Sequence, residues 1–370
     1  MSFSGTAYLP LHGGHAPSWL LRKMKGLATN IVQIMVDEFG QDEFLRRASD
    51  PNWFQSFGCV LGFDWHSSGV TTVVTGVLKE AVDPSQTGLA ICGGKGRHSR
   101  ETPSEILDAG GTFGLSTSKL DELAYSSRMA AKVDNTAVQA GYTLYHHAFL
   151  LAESGKWAVI QQGLNPERRM ARRYHWLSED VADMVVEPHK AVVGEKQERV
   201  LNMTARDAEG CRKASVDMVR DDPQRLRREL ALVKDSSQRS LLDFCGGSRA
   251  GRTLVMPWNI NWKALANAYN SQPRNYEELL GMEGIGPATV KGLALISELV
   301  YGEPPNWKDP VKYSFAFGGK DGVPFPVRVR EMGEAIDFLR IAVENAKIDE
   351  RDRIDALRRL GALAGSSDRQ

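Results

Sequence analysis

The stretch Gly281-Met-Glu-Gly-Ile-Gly-Pro-Ala-Thr-Val-Lys-Gly292 sets two glycines around one isoleucine, directly before a proline and a fresh apolar run. Upstream, Asn275 to Leu280 reads as one short helix. Downstream, Val290, Leu293, Ile296, Leu299 and Val300 recur at helical spacing between Ala288 and Tyr301. A glycine turn therefore joins two helices, with Pro287 at the first helical position, where its missing N–H is no loss and its φ is preset. The first turn of the second helix leaves backbone N–H groups without intrahelical partners, and Gly284 and Gly286 have no Cβ to keep another backbone away. Such amides attract an anion, typically a phosphate. Gly284, Gly286 and Ala288 are thus candidate backbone contacts and Lys291 a point charge one turn in, while Ile285 is expected to pin the turn to the core. The same glycines would also serve an ordinary αα-hairpin.

The rest of the chain has room for two cores. It has 370 residues, 42% of them hydrophobic and 25% charged, which is ordinary globular composition. Lys and Arg total 46, as do Asp and Glu, so a nucleic-acid surface has to come from local segregation of charge. Cys59, Cys92, Cys211 and Cys245 form no C-x-x-C pair, which argues against a zinc knuckle or an iron–sulfur cluster and for reduced thiols. No basic head precedes an apolar core at the N-terminus, and no run of about 18 apolar residues occurs. The expectation is a cytoplasmic, nucleoid-associated protein with no membrane partner.

Working outward from the turn, a change in pattern near residue 204 suggests three parts: an α/β domain over 1–203, a basic helical connector over 204–252, and a helical domain over 253–370. In the first part, Ala16 to Phe39 reads as helical. Phe57 to Phe63 and the β-branched run Val70 to Leu78 read as a strand pair, and Gly88 to Cys92 as a third strand. Lys119 to Gln139 reads as a helix, and Tyr142 to Leu151 with Lys156 to Gln162 as a second hairpin turning at Ser154-Gly155. The fold class expected is α+β, a mixed sheet with antiparallel hairpins, followed by a mainly α-helical domain.

Three places could carry chemistry. Asp64 and His66 follow the first expected strand in Phe63-Asp-Trp-His-Ser-Ser-Gly69; two residues apart, they share a face if the strand continues, and otherwise bond to a turn. All 8 histidines precede residue 190, among them His12, His15, His146, His147, His175 and His189. His146 and His147 are neighbours on a strand and face opposite ways. Lys132-Val-Asp-Asn135 adds Asp134. Asp64, Asp134 and His146 or His147 would make a set of oxygen and imidazole ligands for a divalent ion, manganese or magnesium rather than zinc. The third place is Gly93-Gly-Lys-Gly-Arg-His-Ser-Arg100. Its glycines could form an anion nest with Lys95, Arg97 and Arg100 as counter-charges, before a capping box at Thr102-Pro-Ser-Glu105. It is not a Walker loop. In Arg168-Arg-Met-Ala-Arg-Arg-Tyr-His-Trp176, Arg172 and Arg173 could pair with phosphate and the rings stack on bases, or the segment could be a solvated connector.

The turn and its flanking helices resemble a helix-hairpin-helix motif, whose alternation of hydrophobic residues and glycines matches Leu280 to Gly286. The resemblance implies grip on the nucleic-acid backbone without sequence readout. The chain as a whole resembles the family catalogued as domain of unknown function 763, through Tyr8 to His12, Gly62 to Gly69, Gly93 to Gly96, Lys132 to Asn135, Leu144 to His147, Gln161 to Asn165 and Ala171 to Trp176. The order of a carboxylate-bearing first strand, a hairpin, a third strand and a helix is similar to the ribonuclease H-like nucleases, although a glutamate on the helix is lacking.

These readings converge on a DNA-binding protein with metal-dependent phosphodiesterase activity in repair or end processing. Asp64, Asp134 and His146 or His147 would hold the metal, His66 or His175 move protons, and Lys95 or Lys132 meet the charge developing on phosphate. A non-catalytic DNA-binding accessory protein is the alternative. A helix-hairpin-helix glycosylase, with Asp309 as its aspartate, fits less well because Ala288 stands where lyase-type members carry lysine.

Overall fold

The structure, a computed structural model, describes residues 18–63, 69–229, 231, 257, 259–311 and 329–367. Four helices come first: α1 (Ser18–Phe39), α2 (Gln41–Ser49), α3 (Pro51–Leu61) and α4 (Gly69–Ala81). The expected strand pair over 57–63 and 70–78 is therefore corrected to the end of α3 and the body of α4. With it goes the carboxylate-bearing first strand on which the likeness to ribonuclease H-like nucleases rested. Local chemistry explains α3. Asp50 caps it by accepting from Trp53 N at 2.8 Å, Pro51 opens it, and Gly62 closes it at φ 109°. Every residue from Trp53 to Leu61 is buried, so the helix has no polar stripe to reveal its period.

A short helix, α5 (Pro84–Thr87), leads into β1 (Leu89–Lys95), then α6 (His98–Thr112) and α7 (Thr117–Lys132). A π-helical turn, Val133–Ala137, ends α7 and runs into the two-residue strand β2 (Val138–Gln139). Next come β3 (Thr143–Ala152), β4 (Trp157–Asn165) and β5 (Met170–Leu177). The expected hairpin over 142–162 is β3 and β4. The arginine-rich segment before Trp176 is not a connector: Arg168 and Arg169 lie in an exposed turn, and from Met170 on it is β5, buried along its whole length. Two short strands, β6 (Ala191–Val193) and β7 (Leu201–Asn202), complete the sheets: five antiparallel strands in the order β1-β3-β4-β5-β6, and the pair β2-β7.

The remaining helices are α8 (Glu209–Arg220), α9 (Trp262–Ser271), α10 (Tyr276–Gly281), α11 (Pro287–Tyr301), α12 (Val329–Asn345) and α13 (Glu350–Ser367). Helices α10 and α11 with the turn 282–286 are the expected helical pair, and Ile285 is fully buried in it.

The main sheet is covered on both faces, because successive side chains of a strand point opposite ways. Ile91, Ala148, Leu150, Ala158 and Ile160 pack with α1 to α4, α12 and α13. Ala90, Cys92, Phe149, Leu151, Val159 and Trp176 pack with α6 to α11. This alternation sorts the polar residues of the sheet as well. His146, Arg173 and His175 share the first face, and His147, Gln161 and Arg172 the second.

Candidate functional site

At the edge of the second face, α6, α7 and β3 enclose a cleft of about 490 Å³. Ser99 and Arg100 come from the first turn of α6, Ser127, Arg128 and Lys132 from α7, and His147 from β3. Arg100, Arg128 and Lys132 have no carboxylate partner among the described residues, and no acidic residue lines the cleft there. Three cations without a carboxylate partner on one concave surface give it a positive potential that suits an anion.

Its wall depends on glycine. Gly93 (φ 90°) and Gly96 (φ 64°) occupy backbone that favours glycine, and a Cβ on Gly93 would collide with the carbonyl oxygen of His147 and with Thr102 Oγ1. The loop is not an open nest of amides, however. Gly93 N donates to Glu105 Oε2 at 2.6 Å and Gly96 N to Tyr145 O at 2.8 Å. The helix also begins earlier than the expected capping box, at His98, which leaves Pro103 inside it. Pro103 has no N–H to offer Ser99 O, and Thr102 Oγ1 donates to that carbonyl instead, at 3.0 Å. Lys95, Arg97 and Arg100 stay exposed, Lys95 beside the Tyr145 ring at 5.9 Å, but only Arg100 faces the cleft.

Behind the cleft a buried polar chain runs into the core. Ser127 Oγ lies 2.9 Å from His147 Nε2, and His147 Nδ1 lies 2.7 Å from Gln161 Oε1. Gln161 Nε2 donates to Ala130 O at 3.0 Å and to the Asp134 carboxylate. Asp134, turned inward by the π-helical turn, also accepts from Trp176 Nε1 at 3.0 Å and bonds to His189 Nε2. Burial pushes the His147 pKa below its usual value, opposed by Gln161 and by the charge of Asp134. Lys132, half-buried, is also shifted down by desolvation; its Nζ donates to Met282 O at 3.2 Å and so ties the cleft to the turn before α11. Gln139 Nε2 makes a second tie, to Pro287 O at 2.8 Å.

The structure thus brings Arg100, Lys132 and His147 together, with Asp134 one amide behind and the turn alongside. Ser127, Arg128 and Gln161 complete the group. Sequence reading missed them because Ser127 and His147 meet only through tertiary packing, although Gln161 opens one of the stretches, Gln161 to Asn165, that carried the family resemblance.

The other candidates lie elsewhere. His146 faces α4, bonded to Thr75 Oγ1 at 2.9 Å, and burial with the nearby His147 and Lys95 lowers its pKa to about 3. His175 is fully buried edge-on to Phe54. Arg172 and Arg173, expected to meet phosphate, have no exposed surface and are corrected to core residues. Arg172 forms a double hydrogen bond with Asp309 at 3.1 and 2.6 Å, which also binds the aspartate that the glycosylase alternative required. Arg173 rests over the Phe54 ring at 4.9 Å and donates to Gln55 at 3.0 Å; desolvation lowers its pKa to about 9. In the turn, Gly284 (φ 80°) packs against α9, where a Cβ would lie 2.9 Å from Ala264 Cβ. A Cβ on Gly286 would meet open space. Gly286 caps α11 without a side chain, Ala288 follows in the first turn, and Lys291 is half-buried with its pKa lowered by desolvation.

The expected metal set does not assemble from the described side chains. His147 has both ring nitrogens hydrogen-bonded, Asp134 is enclosed by Gln161, Trp176 and His189, and His146 faces the opposite side of the sheet. No group of three His, Cys, Asp or Glu among the described residues could hold a metal ion. Asp64 and His66, with His12 and His15, lie outside the described residues.

No helix among the described residues is long and apolar enough to cross a membrane. No curated protein and no solved structure matches the chain. The sequence model of one family, described as "Protein of unknown function (DUF763)", matches residues 5–327, and by that match the chain belongs to this family.

Proposed function

We propose that the protein binds DNA through its phosphates, using the cleft between α6 and α7 together with the helix-hairpin-helix-like turn before α11. The observation that carries this reading is the trio Arg100, Arg128 and Lys132, which has no carboxylate partner among the described residues and is joined to that turn by the hydrogen bond from Lys132 to Met282 O. Guanidinium and ammonium groups held beside a helix N-terminus suit successive phosphates of a backbone. Contacts of this kind position a duplex without reading its sequence. A metal-dependent nuclease acting on the same DNA is the catalytic form of the proposal. Its metal would need donors other than Asp134 and His147, whose polar atoms are held within the fold, so no step is assigned to a metal.

Gly286 is the place to test it. A Cβ there lies in open space and a side chain fits the observed φ of −114°, whereas any side chain at Gly284 would strike α9 and strain the backbone. Gly286→Val is therefore expected to keep the wild-type melting temperature and to weaken binding equally for unrelated duplexes in gel-shift titrations. Arg100→Ala and Arg128→Ala should each weaken binding and reduce the salt slope by about 1. Wild-type affinity in Gly286→Val and in Arg100→Ala/Arg128→Ala would refute the proposal.

A further inference from the structure

Ser127 and His147 both line the basic cleft, and the chain behind them decides where the protons are. Gln161 approaches two oxygens with one end of its amide, those of Ala130 O and the Asp134 carboxylate. That end is the nitrogen, since the opposite flip would set oxygen against oxygen. Gln161 Oε1 can then only accept, and His147 Nδ1 donates to it over 2.7 Å. In the neutral ring the lone pair is on Nε2, and Nε2 is 2.9 Å from Ser127 Oγ. The Ser127 hydroxyl donates to it. A buried helical serine commonly returns its hydroxyl to a carbonyl one turn back, as Ser215 does to Cys211 O at 2.7 Å. Ser127 is instead held against an imidazole whose tautomer is set from behind, the arrangement that activates a hydroxyl.

We propose that Ser127 is a nucleophile toward phosphodiesters, with His147 as its general base, Gln161 as the positioning residue that fixes the tautomer, and Arg100, Arg128 and Lys132 binding the anionic oxygens. This rests on the phosphate reading of the cleft. In the step, a bond forms between Ser127 Oγ and phosphorus while the bond from phosphorus to the leaving alkoxide breaks. The hydroxyl proton passes to His147 Nε2 and then to the departing oxygen, leaving a seryl phosphodiester. Water or the returning alcohol resolves it by the reverse path. The imidazolium formed in between is held by Gln161 Oε1 and lies near the negative Asp134.

The test treats the full chain with an alkyl fluorophosphonate: Ser127 Oγ bonds to phosphorus, fluoride leaves, and His147 takes the proton. Peptide mapping is expected to find the adduct on Ser127, slowed by inorganic phosphate or a short duplex. It should be absent in Ser127→Ala and about a hundredfold slower in His147→Asn. Melting temperatures identify the folded variants. Ser127→Cys gives a second readout that leaves the imidazole in place, with its new thiol expected to react with iodoacetamide faster than the buried Cys92 and Cys211. The nucleophile is overturned if the wild type gives no adduct at Ser127. The base is overturned if a folded His147→Asn labels at the wild-type rate, or if the thiol introduced by Ser127→Cys reacts no faster than Cys92 and Cys211. Labelling that neither phosphate nor duplex slows would overturn the substrate class. Failure of DNA binding itself is read separately, in the gel shifts of Gly286→Val.

Discussion

A guanidinium with no exposed surface depends on the partners the fold supplies, and Arg172 finds them at its two terminal nitrogens while its Nε has none among the described residues. Asp309 accepts both its terminal nitrogens, Glu195 O accepts a third hydrogen bond at 3.0 Å, and the Tyr142 ring lies 4.7 Å from its carbon. Asp309 is held in turn by the amides of Gln197 at 2.8 Å and Val311 at 3.2 Å, so the pair fastens the segment after α11 to β5. Asp309→Asn leaves a buried cation opposite an amide and is expected to cost about 3–5 kcal/mol in urea unfolding. Replacing both partners, as Arg172→Met/Asp309→Leu, removes the stranded charge and should recover most of that loss. A double variant as unstable as Asp309→Asn alone would refute this account. Arg172 and Arg173 read as exposed because arginine is so seldom fully buried, and a strand that places one arginine on each covered face gives no sign of it in composition.

Among the elements, α3 and α4 show how a glycine can mislead and then explain itself. A Cβ on Gly58 would lie 2.8 Å from Val70 Cγ1 and 3.3 Å from Val74 Cγ2, so this glycine is where the two helices touch. Gly76 in α4 faces open space. Gly→Ala gains about 1 kcal/mol of helix propensity at either site, but at Gly58 the overlap with stiff β-branched valines costs about 1–3 kcal/mol. Gly58→Ala is expected to lower the melting temperature and Gly76→Ala to raise it; shifts of the same sign would contradict this packing. Asp50-Pro51 and Gly62 carry the start and stop signals of α3, but sequence reading passes over them, because the apolar run from Phe57 to Phe63 and the valine–threonine run of α4 suggest strands. The hairpin of β3 and β4 and the helices flanking the turn at 282–286 were readable because their glycine punctuation and apolar spacing are local. The cleft was readable only in part. Arg100, Lys132 and His147 stood out as residue types, whereas the carbonyl-bound amide of Gln161 and the hydroxyl of Ser127 acquire meaning only when β4 and α7 pack.

At the scale of the whole molecule, the central sheet separates two apolar layers, and the cleft belongs to one of them. The opposite layer is closed by α12 and α13, which lie beyond residue 327, where the family match ends. Leu339, Val343 and Leu360 are fully buried there, Arg359 Nε donates to Val60 O at 3.0 Å, and Lys23 pairs with Asp352 at 2.5 Å. Removing side-chain volume from such a position costs about 2–5 kcal/mol, because the transfer energy and the cavity both count. The cost need not spread evenly, since units that share few contacts open separately. In Leu339→Ala, hydrogen exchange is therefore expected to speed up in α1, α3 and α13, while α11 and the strands β3 and β4 keep their protection. DNA affinity below the melting temperature should stay at the wild-type value, because Arg100, Arg128 and Lys132 lie across the sheet from the damage. Equal loss of protection in α11 would instead mean that both layers and the sheet open as one unit.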